Sequence, residues 1–209
     1  MSQPYTLILR FIVIGLFLLV ASYQWGEHLL KTLIPLYEWM VKALDYRFGS
    51  VIFSINKQHG ELFLLLQTTY AMPIHMGIQT IVPNSPIPSA ARMPLGNVLL
   101  PFILIFTTIL SWPNTYAKPK AYLYSVRILI AIPICLTIML IDIPTQFLKL
   151  IWENLNNQLN LNISQSLHYF TYWSDFLNGG GLIALSIASG ILVVGITDFL
   201  TKPHMIKSN

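Results

Sequence analysis

The stretch LILRFIVIGLFLLVASYQW, residues 7–25, carries a single charge, Arg10. A helix needs roughly 20 mainly apolar residues to cross a hydrocarbon core about 30 Å thick, and this stretch supplies them. Three others repeat the pattern: LGNVLLPFILIFTTILSW (95–112), AYLYSVRILIAIPICLTIMLIDI (121–143) and GLIALSIASGILVVGITDFL (181–200). The expected fold is an α-helical membrane protein with four transmembrane helices. Composition agrees, because 55% of the 209 residues are hydrophobic and only 10% charged, too few charges to coat a soluble domain of this size.

The net charge of +4 reports topology rather than a polyanionic partner such as nucleic acid. With the N-terminus cytoplasmic, the cytoplasmic flanks hold Arg10, Lys118, Lys120, Arg127, Lys202 and Lys207 against one acid, Asp198. The other side holds Lys31, Lys42, Arg47, Lys57, Arg92 and Lys149 against seven acids, from Glu27 to Asp175. This is the asymmetry of the positive-inside rule, and it predicts that both termini are cytoplasmic. A cleaved signal peptide ending at Ala21 or Ser22 is the alternative for the N-terminus. An uncleaved anchor fits better, since the apolar run continues into the interfacial pair Tyr23 and Trp25 and no basic n-region precedes it.

Residues 26–93 form an extracytoplasmic segment in two parts. Over 26–44, Leu29, Leu33, Leu36, Tyr37, Met40 and Leu44 recur at helical spacing, which predicts an amphipathic helix that lies on the membrane or extends the first span. Over 46–76 the period changes to two: an alternating run through Val51, Phe53 and Ile55, the turn residues NKQHG, then a β-rich run from Glu61 to Tyr70. This predicts a β-hairpin. A lone hairpin is marginal in water, so its apolar face must cover the amphipathic helix, the rest of the loop or a partner. Val51, Phe53, Ile55, Phe63 and Leu65 are the candidate partner-binding residues. The proline-rich VPNSPIPSAARMP that follows reads as an irregular connector.

Residues 94–143 form a transmembrane hairpin closed by the short basic loop PNTYAKPKAY. Residues 144–180 start as an amphipathic helix through Phe147, Leu148, Ile151, Trp152 and Leu155, then become asparagine-rich and aromatic, the aromatic run suiting an interfacial belt. Residues 181–209 are the fourth span and a basic cytoplasmic tail.

Little in the chain points to chemistry. The single cysteine, Cys135, lies within a span, so no intrachain disulfide or cysteine metal site can form. His28, His59, His75, His168 and His204 show no metal-ligand spacing, no nucleotide or serine-hydrolase motif is present, and no cofactor is implied. Asn162-Ile-Ser164 matches a glycosylation sequon by pattern alone. Intramembrane ionisable residues mark structure or function because burying charge in lipid is costly. Arg127 either snorkels to the cytoplasmic headgroups or pairs with Asp198 to clamp two helices. Asn97 is a candidate for interhelical hydrogen bonding, and Gly179, Gly180, Gly181 and Gly190 are candidates for close helix docking, together with Ser186, Ser189 and Gly195.

The pieces MPLGNVLLPFILIFTTIL (93–110) and FLNGGGLIALSIASG (176–190) resemble the small membrane proteins that accompany exosortases, the exosortase H-associated membrane proteins. The resemblance covers most of the chain in layout, and GNVLLPF and FLNGGG are its most specific parts. Leu182 stands where that family has a basic residue after the glycines. The resemblance implies a bacterial inner-membrane accessory protein, partner to an exosortase and linked to envelope protein sorting. It does not imply an enzyme, since exosortases use an outer-face cysteine that this chain lacks.

Two functions follow as expectations. The first is a non-catalytic accessory protein, embedded in the lipid bilayer, whose extracytoplasmic hairpin and helix hold a membrane protein partner, an open strand edge offering the means. The alternative is a lipid- or small-molecule-handling enzyme using the external histidines with Asp142, Glu153 or Asp175 as acid–base groups.

Overall fold

The computed structural model describes residues 3–58, 60–71, 73–76, 79–82, 91–113, 120–159 and 168–201. His59, His204, Lys118, Lys202, Lys207 and the Asn162 sequon lie outside the described residues, as do the side chains of His75, His168 and Lys120.

The chain opens with α1 (Gln3–Leu44), a helix of 42 residues. At about 1.5 Å per residue it is roughly 63 Å long, twice a bilayer core. The first apolar stretch and the amphipathic segment are therefore one rod, continuous through Pro35, whose ring sits on the exposed side. The same happens in α3 (Lys120–Leu159), where the third apolar stretch runs without a break through Pro133 and Pro144 into the amphipathic residues beyond. Proline within a helix removes one hydrogen bond. Here the buried stripe on each side, Ile143 before Pro144 and Phe147 and Leu148 after it, holds the helix together.

Between the rods lies a three-stranded antiparallel sheet of order β1-β2-β5, from β1 (Phe48–Gln58), β2 (Glu61–Tyr70) and β5 (Ala91–Pro94). Gly60, at φ 87°, makes the turn of the hairpin in the left-handed region that glycine occupies freely. The short strands β3 (Ile74–Met76) and β4 (Gln79–Ile81) form a separate pair. The expectation of an irregular connector before the second apolar stretch is corrected at its end. Ala91 and Met93 alternate inward, pair with Leu66 and Leu64, and fill the second edge of β2. Pro94 ends that strand, a position that proline tolerates.

One face of the sheet packs on both rods. Phe53 meets Tyr37 of α1 at 6.0 Å between ring centroids and Phe147 of α3 edge-on at 5.1 Å. Leu64, Leu66 and Tyr70 close the same layer, each almost wholly buried.

Helix α2 (Leu95–Ser111) packs against α1, α3 and α5. After α4 (His168–Phe176), a π-helical turn, Leu177–Gly181, leads into α5 (Leu182–Thr201). Among the described residues three helical segments are long and apolar enough to cross a membrane: Tyr5–Leu44, Ala121–Asn157 and Thr171–Thr201. The 17 residues of α2 are apolar but shorter.

Candidate functional site

The sheet end of the molecule is fastened where α1 stops. Asp45 N–H donates to the Val41 carbonyl at 3.0 Å, ending the helix, and Phe48 N–H donates to the Asp45 carbonyl at 3.3 Å, turning the chain into β1. The Asp45 carboxylate is buried and accepts four hydrogen bonds. Oδ1 takes Arg47 N–H at 3.1 Å and Arg47 Nε at 2.7 Å. Oδ2 takes Arg47 Nη2 at 2.7 Å and Trp152 Nε1 of α3 at 3.1 Å. The fork geometry of the guanidinium suits this two-point contact. The Asp45 carboxylate also holds the Arg47 guanidinium above its ordinary, already high pKa. The Arg47 cation stacks 4.2 Å from the centre of the Trp152 ring. Phe48 and Tyr70 pack on each other and on Trp152, and burial pushes the Tyr70 hydroxyl up. One carboxylate thus ties the end of α1, the start of the sheet and α3 together.

The candidate partner-binding residues divide between the two sheet faces. In the register Val51 lies opposite Thr68, Phe53 opposite Leu66 and Ile55 opposite Leu64, all on the face toward the rods. Val51 and Phe53 are buried there, so their apolar surface is already covered by the chain's own helices. Phe63 and Leu65 are on the other face, half-buried, with the exposed Ile52. The strand edges are partly occupied. Glu38 of α1 accepts the Phe53 N–H on the outer edge of β1 at 3.0 Å, and β5 pairs with Phe63 to Leu66 of β2.

A second feature lies below the sheet. A cleft of about 180 Å³ is lined by Asn97 and Leu100 of α2, Gln146 of α3, Leu177, Asn178 and Gly180 of the π-helical turn, and the start of α5. The Gln146 amide donates to Asp142 Oδ1 at 2.6 Å, and Asn178 Nδ2 donates to Ser174 Oγ at 3.3 Å. A primary amide has two donors and an acceptor, so each bond leaves capacity for a ligand. GNVLLPF and FLNGGG, some eighty residues apart, both line this cleft.

The candidate glycines have separate roles. Gly180 has φ 107°, a backbone that other residues adopt only with strain, and it makes the bend between the π turn and α5. A Cβ on Gly181 would lie 2.6 Å from the Phe176 ring, and one on Gly190 would lie 2.6 Å from Thr108 Cβ of α2, so these two permit close packing. A Cβ on Gly179 would meet none of the described residues within 4 Å.

At the other end of the helices Arg127 is wholly buried. It meets Asp198 at 3.4 Å and donates to the carbonyls of Ile109 and Trp112 at 3.3 and 3.2 Å, capping the end of α2.

Of the groups in the alternative reading, His28, Asp142, Glu153 and Asp175 have described side chains. His28 is exposed on α1, Asp142 is buried against Gln146, and Asp175 and Glu153 both bond Lys149. Among the described residues no group of three or more His, Cys, Asp or Glu converges as a metal site. The Asp45–Trp152 contact and the cleft were not expected from the sequence. Their only signals are an acid directly after an amphipathic helix, a tryptophan in an amphipathic stripe and an Asp142/Gln146 spacing of four.

The fold is thus a helical one with three helices able to span a membrane and a small sheet fastened to their extensions. Comparison with protein-family models, with curated proteins and with solved structures finds no match for the chain.

Proposed function

We propose that this chain is a non-catalytic, four-span accessory protein of a bacterial inner membrane, with both termini cytoplasmic and the sheet end outside. In this reading α2 is the fourth span, sheltered by α1, α3 and α5 and therefore able to be shorter than they are. The sheet end is a docking platform for a membrane protein partner, an exosortase by the resemblance of GNVLLPF and FLNGGG.

The observation that carries the reading is the two-faced sheet. Its inner face is sealed on both rods and locked by Asp45, while its outer face shows Ile52, 54% exposed, beside Phe63 and Leu65. A rigid apolar patch with a polar surround is the kind of surface that binds partners. The unpaired edge considered from sequence is a weaker means, given Glu38 and β5, and side-chain packing on the outer face replaces it.

The test is co-purification in mild detergent of the full chain with a co-expressed exosortase. Ile52→Glu and Leu65→Glu should abolish recovery without changing the elution profile of the chain alone, and Lys31→Ala on α1 should not. Full recovery with both glutamate variants refutes the platform.

A further inference from the structure

We infer that the groove between α1, the hairpin tip and α2 holds one zwitterionic, amine-headed phospholipid. Its cavity of about 370 Å³ falls within the range of small-ligand sites, whereas the polar cleft does not reach it. The walls are Leu19 of α1, Leu62 of β2, and Leu95 and Leu99 of α2, an acyl-chain surface. Ser22, Tyr23 and Glu61 add polar side chains to this lining.

The geometry follows from the direction of the hairpin. It is rooted at Asp45, the far end of α1, and runs back along that helix: Glu38 holds Phe53, Lys57 is within electrostatic reach of Glu27, and Glu61 and Leu62 arrive beside Tyr23 and Leu19. The tip therefore comes to the level where the apolar stretch of α1 ends at Trp25, the height of the headgroups. Lys57 stands directly opposite Leu62 in the register, on the face that carries the groove wall. Glu61 thus lines an apolar slot, and Lys57 stands across the hairpin from its Leu62 wall. They complement a head with a phosphate and an ammonium, Lys57 facing the phosphate and Glu61 the amine. An anionic head lacking the amine would leave Glu61 facing negative charge.

Room for the chain comes from Gly96, which also lines the groove and where an added Cβ meets nothing within 4 Å. This makes the test clean: Gly96→Leu puts a side chain into the slot from a Cβ position that is open among the described residues, and it improves helix propensity. Gly195→Leu on α5, where a Cβ also meets open space, is the control.

The inference rests on the membrane-spanning reading but not on the partner or the orientation. The full chain is reconstituted in nanodiscs of equal phosphatidylethanolamine and phosphatidylglycerol, and retained lipid is read by native mass spectrometry. Wild type and Gly195→Leu should keep one phosphatidylethanolamine and Gly96→Leu none. Glu61→Gln should reduce the preference over phosphatidylglycerol by about two- to fivefold, the range of an exposed charge contact. Undiminished retention in Gly96→Leu, equal retention of the two lipids by wild type, or loss in Gly96→Leu of a co-purifying protein but not of the lipid each overturns the inference. Failure of the wild type to enter nanodiscs would instead overturn the membrane-spanning reading beneath it.

Discussion

At the sheet end the deeply buried member of the ion pair is an anion, Asp45, and every lone-pair direction it offers is met by a donor within 3.1 Å. At the opposite end the buried member is a cation, Arg127, whose hydrogen bonds to the described residues are all longer than 3.1 Å and whose Nε has no partner among them. Burying a charge is favourable only when its hydrogen bonds are complete and short. The Asp45 site meets that condition and the Arg127 site does not. Of the two buried charges Asp45 is therefore the more completely paired, with the partnerless Tyr37 and Tyr70 hydroxyls nearby among the described residues, and its end carries the two-faced sheet.

This contrast predicts a graded series of stabilities, read as thermal unfolding in mild detergent by tryptophan fluorescence. The largest loss belongs to Asp45→Ala, which removes four hydrogen bonds, two of them charge-assisted at 2.7 Å, and strands Trp152 Nε1. Arg47 is partly exposed and can rehydrate, so the cost is about 3 kcal/mol rather than the upper end for broken buried pairs. A loss under about 1 kcal/mol would remove the distinction between the two ends.

Gly190→Leu comes next. A side chain there meets Thr108 at once, and α5 must move from α2, an overpacking cost of about 2 kcal/mol. Because Gly190 lies between the two ends, the change should leave the Trp152 environment intact, and a shift in the emission of the folded protein would show the ends to be coupled. Glu38→Ala should cost about 1 kcal/mol, the net value of a hydrogen bond whose loss leaves the Phe53 N–H without its acceptor. It should also increase hydrogen exchange at Phe53, and unchanged exchange would mean that Glu38 does not protect the β1 edge.

What could be read from the sequence was local or periodic. The alternation around Val51, Phe53 and Ile55, the turn at Gly60 and the lengths of the apolar stretches all came from short-range pattern, and the pairing of Arg127 with Asp198 was one of two alternatives open for that arginine. What could not be read required long-range geometry. Pro144 looks like a helix end in isolation, yet buried stripes on both sides carry α3 through it. Ala91 to Pro94 reads as coil until the open edge of β2 is known. Asp45 and Trp152 are 107 residues apart, and Asn97, Gln146 and Asn178 share a cleft only after three helices have packed. The division of Val51 and Phe53 from Phe63 and Leu65 shows the same limit: strand alternation separates the two faces but does not say which one the rods will cover.

The smallest effect expected is that of Arg127→Met, and it is the most discriminating. Methionine removes the guanidinium and with it two bonds to α2 carbonyls and a 3.4 Å contact with Asp198. The same change removes the desolvation penalty of a wholly buried cation whose Nε has no partner among the described residues, and the Asp198 side chain is 25% exposed, so it can turn to water. Replacing a buried ion pair by an apolar side chain of similar length is often neutral, and a change within about 0.5 kcal/mol is expected. Arg127→Lys should be worse than Arg127→Met. The ammonium keeps the desolvation cost but lacks the fork that reaches the Ile109 and Trp112 carbonyls and Asp198 together. If the order were reversed, with lysine tolerated and methionine strongly destabilising, Arg127 would contribute through its charge, and the end of α2 would be held by an ion pair as firm as the one around Asp45.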